Sequence, residues 1–488
     1  MNRKQLQPWV VGALLLLAAG WFVVHGLARV HYGGSSDIRT IYASTRAWLK
    51  GQDPYDYERL EQVLRDAGYD ALPESAEHPH AWPSPRWQPV VYPPTTLVLL
   101  APLGWLTYRQ VVVAWAALNL VLTGSLIAVL IRVAGLNWTR HDRLYVGLLG
   151  AWLLALGPLH SSLELGQLTI LVTLLIVWGA ALACDRRDLG AGVLAALAVG
   201  LKPQLGVILV LYLLLRFRWR ALAAAAVLLA ALLAVGHGQM ALHGVDWWPA
   251  WRANLYHFSH GGGGDPLYLF HAGVNPLLDS TGNPVRFQLY SLPYPLHELL
   301  GTQATRIGVQ LAVLAAAGLL VALAAVRARG RGTDPERELL LLSILSLAVV
   351  LSSSHRFYDL TVLALPMAWV IRRWVRAADE GTRLPGAVRV CAVLLLLFPI
   401  ASSAILVGLS DHGYIGAAIT GGPLFAARGP GLWWWRGLIV PAQVWVLVLL
   451  AGGLVWGQGS GGSGDSGGSG RGRGGGRPGG IAAGWKFP

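Results

Sequence analysis

Apolar runs of roughly 15–25 residues recur along most of this chain, and many are apolar on every side. The segments 10–24, 111–133 and 388–408 are examples. A buried helix in a large soluble protein would keep a polar face, and these do not. Lipid is the solvent that suits such runs. In lipid a helix satisfies its own backbone polar groups. The composition agrees: 54% of residues are hydrophobic and only 13% charged, against about 25% charged in soluble chains. Mean hydropathy is +0.50. The net charge of +13 could suit nucleic acid, but arginine-rich cytoplasmic loops of a membrane protein account for it more simply. Cys184 and Cys391 lie far apart, in or beside apolar helices, and imply no disulfide framework.

The basic residues set a topology. Arg3 and Lys4 hold the N-terminus in the cytoplasm, so a first span over 8–30 exits to the outside. It has the charge and apolar run of a signal peptide, but no clear cleavage site follows, and it reads as a spanning helix. Residues 31–91 form a first outer loop. It carries two amphipathic stretches, 37–50 and 57–67, expected to lie on the membrane surface. The segment 95–106 is too short to cross comfortably and is read as re-entrant or interfacial. The next span, 109–133, then delivers Arg132, Arg140 and Arg143 to the cytoplasm. Continued alternation puts nearly every short arginine cluster on that side. The expected fold is an all-α polytopic bundle of about twelve transmembrane helices plus the one partial segment. A second long outer loop spans 237–302. One membrane domain, 1–456, is followed by a Gly/Ser/Arg-rich tail, 457–488, expected to be disordered and cytoplasmic.

Five polar clusters fall at helix ends on the outer side of this topology. They are Asp37-Ile38-Arg39, Tyr92-Pro93-Pro94, Glu164-Leu165-Gly166-Gln167, Lys202-Pro203-Gln204 and Ser354-His355-Arg356-Phe357-Tyr358-Asp359. Ionisable groups gathered at one face of a lipid-immersed bundle point to binding or chemistry there. Asp37 can act as a general base at a partly dehydrated pocket, or cap the helix that follows. Pro93 and Pro94 fix the chain beside Tyr92 as it re-enters the membrane, or simply punctuate loop and helix. Lys202 lies between two apolar runs, where an ammonium needs a partner such as a phosphate, or snorkels to headgroups. Gln167 can bond a sugar hydroxyl or phosphate, or cap a helix. His355, Arg356 and Tyr358 suit phosphate binding, or anchor the interface. No P-loop, H-E-x-x-H or G-x-S-x-G motif is present. The histidines of 237–302 lack the paired spacing of a zinc site. No metal site or cofactor is expected.

Order and spacing carry a resemblance. Asp37 leads into Tyr42-Ala43 and Gly51-Gln52-Asp53-Pro54-Tyr55. Tyr92-Pro93-Pro94, Gly166-Gln167, Lys202-Pro203-Gln204 and a late His-Arg-Tyr group follow. This pattern, over residues 1–375, resembles the glycosyltransferase family 87 membrane proteins. They include bacterial α-mannosyltransferases that use polyprenol-phosphate-mannose. The resemblance implies a GT-C fold in the bacterial inner membrane, with the active site extracytoplasmic and both termini cytoplasmic. It implies a polyprenyl-phosphate-linked donor, a glycolipid or glycan acceptor, and no nucleic acid. Asp37 matches the acidic base of the first outer loop, and His355 the late histidine. Lys202, His355, Arg356, Gln167, Gln204, Arg39 and Tyr358 are then candidates for holding donor phosphate and sugar, around Tyr92, Pro93 and Pro94. Where the family carries Gly-Gln-Xaa-Asn, this chain reads Gly166-Gln167-Leu168-Thr169. The alternative from another class is a transporter or flippase of lipid-linked sugars. It would favour charges at the membrane midplane and two matching halves, and the sequence has no internal repeat.

Overall fold

The computed structural model describes residues 8–32, 36–68, 90–136, 142–260, 290–300, 306–327, 334–353, 355–399, 438 and 441–459. Among these the architecture is helical, with no strand. Among the described residues four helices are long and apolar enough to cross a membrane: Pro8–Val30, Tyr108–Val133, Trp219–Leu242 and Ile307–Val326. A bent pair, α7 (Arg143–Leu154) and α8 (Gly157–Leu165), makes a fifth if counted as one span. Shorter apolar helices include α9 (Thr169–Cys184), α10 (Asp188–Leu201) and α11 (Pro203–Leu215). The expected span near Asp411, and the tail beyond residue 459, lie outside the described residues.

The first span is not uniform. Helix α1 (Pro8–Phe22) passes through a π-helical turn, Val23–Leu27, into α2 (Ala28–Tyr32). Gly26 in that turn lets the chain press against α8, where a β-carbon would stand 3.1 Å from Leu163. Helix α3 (Ser36–Leu49) comes next, then α4 (Tyr57–Asp66). The expectation that α3 lies on the membrane surface needs correction. Ile38, Ile41, Tyr42, Ala43, Ala47 and Trp48 are all buried within the protein. The polar side chains of α3 bond protein too. Tyr42 donates to the Leu106 carbonyl at 2.8 Å. Arg46 donates to the carbonyls of Gly104 and Leu106, each at 3.1 Å.

Those carbonyls end the short segment read as re-entrant, α5 (Pro94–Leu99) followed by a 3-10 turn, Ala101–Trp105. Thr95 and Thr96 on α5 are buried, and both hydroxyls donate to the Gly200 carbonyl, at 2.7 and 2.8 Å. That carbonyl is available because Pro203 interrupts the helical ladder. Proline also disfavours helical geometry in the residue before it. Lys202 accordingly adopts φ −151° and ψ 85°, and one apolar rod becomes two helices, α10 and α11.

Helix α6 is Tyr108–Val133, and Thr107 and Gln110 form its capping box. Helix α12 is Trp219–Leu242, and α13, Trp247–His260, lies beyond it. The sequence reading ended that span near residue 235 and left the following residues as loop. After the undescribed stretch, α14 (Pro293–Leu300) and α15 (Arg306–Arg327) lead to α16 (Pro335–Ser352). A 3-10 turn, Phe357–Leu363, joins α16 to α17 (Ala364–Asp379), and α18 (Gly386–Leu397) and α19 (Ala442–Gly459) complete the bundle.

The two ends of the bundle are both polar. At one end the C-terminal halves of α9 and α11 meet the start of α16. Buried Glu338 accepts from Tyr212 and Arg216, each at 2.9 Å. Arg373 on α17 donates to Glu336 at 2.6 Å. Glu336 and Glu338 also stand in the first turn of α16, where the helix dipole favours carboxylates. The other end holds the clusters singled out in the sequence. Between the two ends α10 and α12 pack closely through small residues. A β-carbon at Gly192 would stand 2.3 Å from the Ala221 carbonyl oxygen. Gly192→Val should therefore destabilise the protein by about 1–3 kcal/mol or prevent folding. Gly124→Ala, with nothing within 4 Å of its new β-carbon, is the control. Thermal unfolding of both variants in detergent checks the difference.

Candidate active site

The site begins with a turn. Helix α8 ends at Gly166, which takes φ +69°, a conformation L side chains rarely adopt. Gly166 N–H bonds Leu163 O at 3.1 Å and Gln167 N–H bonds Ser162 O at 2.8 Å, the paired bonds of a Schellman motif. The Trp115 indole N–H bonds the Gly166 carbonyl at 3.0 Å and pins the turn. Gln167 is thereby driven inward, and it is buried.

Lys202 reaches the same point from the α10–α11 break. Its ammonium is buried and donates to Gln167 Oε1 at 3.1 Å, Thr169 Oγ1 at 2.9 Å and Asp359 Oδ1 at 2.5 Å. An ammonium has three N–H groups, so all are engaged. Asp359 is buried too, and its other oxygen faces His355 Nδ1 at 3.0 Å. His355 Nε2 lies 2.9 Å from the Ser353 hydroxyl. Burial alone would raise the Asp359 carboxyl, but the Lys202 charge and the His355 contacts outweigh it and hold the group below the usual carboxylate range.

Gln167 connects this buried layer to a more open one. Its Nε2 donates to Asp37 Oδ2. Lysine only donates and a carboxylate only accepts, so the amide has one orientation, oxygen toward Lys202 and nitrogen toward Asp37. Asp37 stands in the first turn of α3 and is half-buried. Burial raises its carboxyl above the usual range, against the lowering effects of Arg356, the Gln167 hydrogen bond and Lys202. Tyr92, Arg356 and Tyr358 are half-buried around it. The Tyr358 ring lies 4.5 Å from the Lys202 ammonium, within cation–π range. Tyr92 is held from outside. Its carbonyl accepts from Tyr55 at 3.0 Å, and Trp251 of α13 bonds the Val91 carbonyl at 3.3 Å.

The structure thus brings together Asp37, Gln167, Lys202, His355, Arg356, Tyr358 and Tyr92, with Pro93 and Pro94 leading into α5. It does not bring Gln204 in, since that side chain is exposed on the first turn of α11. Arg39 follows Asp37 by two residues, which puts its attachment point roughly 200° around the helix from Asp37. Glu164 pairs with Arg29 at 3.8 Å instead of joining the cluster. The expected phosphate roles of Lys202 and His355 meet side chains already committed to protein partners. Asp359, singled out only as part of the 354–359 cluster, and Thr169 had been given no role at the site, yet both are central to it. The Thr169 hydroxyl donates to Asp359 at 3.2 Å.

Fold and site together define a helical membrane protein with a carboxylate held over a buried charged network at the helix ends. Residues 91–354 match the family model of glycosyltransferase family 87. The chain belongs to that family and is a membrane glycosyltransferase. No curated protein and no solved structure matches it. The matched residues include Tyr92, Gln167 and Lys202, stop just before His355, and leave Asp37 ahead of them.

Asp359→Asn should cost about 3–5 kcal/mol, because it strands the buried Lys202 charge. Combining it with Lys202→Met should recover much of that loss. A double-mutant cycle on unfolding in detergent measures the coupling, and simple additivity would argue against the pair.

Proposed function

We propose that this protein transfers a sugar, mannose by family resemblance, from a polyprenyl-phosphate donor to a hydroxyl of a glycolipid or glycan. The reaction takes place at the extracytoplasmic face, on a GT-C bundle of about twelve spans. The observation that carries the reading is the contrast between the two carboxylates. Asp359 is locked as an anion by Lys202 and His355. Asp37 is half-buried, with its proton affinity raised by burial, which suits a general base.

In the proposed step Asp37 takes the proton of the acceptor hydroxyl as that oxygen attacks the anomeric carbon. The bond from that carbon to the phosphate oxygen breaks, and the electron pair leaves on the phosphate. Arg356 stabilises the departing charge directly. Lys202, engaged behind Gln167, adds positive potential and orients Asp37 through the amide. One displacement inverts configuration, so a β-linked donor gives an α-glycoside. Asp359 does not serve as a nucleophile here, because its oxygens face Lys202, Thr169 and His355. The membership in a glycosyltransferase family favours this reading over a transporter of lipid-linked sugars.

Asp37→Asn should abolish transfer from labelled polyprenyl-phospho-mannose in nanodiscs while leaving thermal stability within about 1 kcal/mol. Retained turnover would remove Asp37 from the mechanism. The pH dependence is a second check. Asp37 acts as a base only when deprotonated, so kcat/KM should fall as pH drops through its raised pKa. The acidic limb should therefore sit above the usual aspartate range, and a limb at ordinary aspartate values would contradict the assignment.

A further inference from the structure

A groove of about 880 Å³ runs between α10 and α12 on the outside of the bundle, away from the site described above. Its two walls start at the same end. Arg186 stands just before α10, and Arg220 is in the first turn of α12. Both side chains are exposed, and neither makes an ion pair among the described residues. The acidic group in the lining, Asp188, pairs with Arg218 at 3.6 Å, so its charge is offset. Beyond the arginines the lining is apolar, with Val193, Val227, Leu228 and Ala231 along it. Val227 is 71% exposed, which suits a surface facing lipid. Phe217 and Trp219 sit beside the arginines with ring centroids 6.1 Å apart, in the manner of an interfacial aromatic pair.

We propose that this groove binds one anionic phospholipid from the leaflet at the arginine-rich end of the bundle. Three observations select that occupant. Two arginines at one mouth complement a phosphate-bearing headgroup. The N-termini of α10 and α12 meet there, and neither has a side-chain cap, so both helix dipoles favour an anion at the same place. The length also fits. From Arg220 to Ala231 along α12 is roughly 16 Å, about half of a hydrocarbon core of roughly 30 Å. The groove therefore accommodates acyl chains of one leaflet. The proposal is independent of the transfer chemistry, because the groove lies toward the end of α10 opposite Lys202.

The test is native mass spectrometry of the full chain released from nanodiscs of mixed phosphatidylglycerol and phosphatidylcholine. The wild type should retain phosphatidylglycerol in preference to phosphatidylcholine. Arg186→Ala with Arg220→Ala should weaken that preference on the order of tenfold or more, and the double lysine variant should keep it. Val227→Trp, which fills the apolar part, should reduce retention without removing either arginine. Equal retention of both lipids by the wild type would overturn the proposal, as would a preference that survives the double alanine variant. Displacement of phosphatidylglycerol by equimolar polyprenyl phosphate would overturn it too, by assigning the groove to the donor.

Discussion

The Lys202–Asp359 ion pair is the contact on which the site's arrangement rests. Two charges removed from water are stable only if every donor and acceptor is met. Here Thr169, Gln167 and His355 meet them. The pair ties the break between α10 and α11 to the 3-10 turn after α16. It also fixes the Gln167 amide, and through it the position of Asp37. A break between two helices leaves backbone carbonyls without their helical partners. The hydroxyls of Thr95 and Thr96 take up that role. The short α5 segment is thus part of what keeps the lysine in place.

Much of the fold could be read from the residues. The first span and the one over 108–133 are apolar on all sides, and no other environment suits them. The segment 95–106 was recognisable from its length as something other than a full-length helix, and it is a six-residue helix followed by a 3-10 turn. The burial of α3 was not recognisable. An amphipathic pattern says that one face is covered, but not whether lipid or protein covers it. The span count stays short of twelve because several apolar helices have fewer than eighteen residues, and other segments fall outside the described residues.

The site was partly legible for a similar reason. Proximity in sequence marked Lys202, Gln167 and the 355–359 run as polar groups at helix ends. It could not assign partners. Gln204 follows Lys202 closely but is carried outward because Pro203 starts a new helix between them. Asp359 reaches Lys202 because the chain after Arg356 coils into a 3-10 turn, a conformation with no strong sequence signature. The π-helical turn at Val23–Leu27 is likewise invisible in an apolar run. The family match stops before His355, so the relation of Asp37 to the later residues comes from the packing of α3 and α8.

The partners in the central ion pair are separated by 157 residues. That distance has a consequence for how the protein is made. The chain is synthesised at roughly 5–20 residues per second, so Lys202 emerges roughly 8–30 s before Asp359 exists. Throughout that interval Gln167 and Thr169 are present, but the carboxylate that balances the Lys202 charge is not. A lysine at a bend between two helices has a long flexible stem that can carry its ammonium toward water until a counter-charge arrives. The counter-charge arrives only with the turn that follows α16. The ion pair can therefore close only late in synthesis, timed by the arrival of one carboxylate.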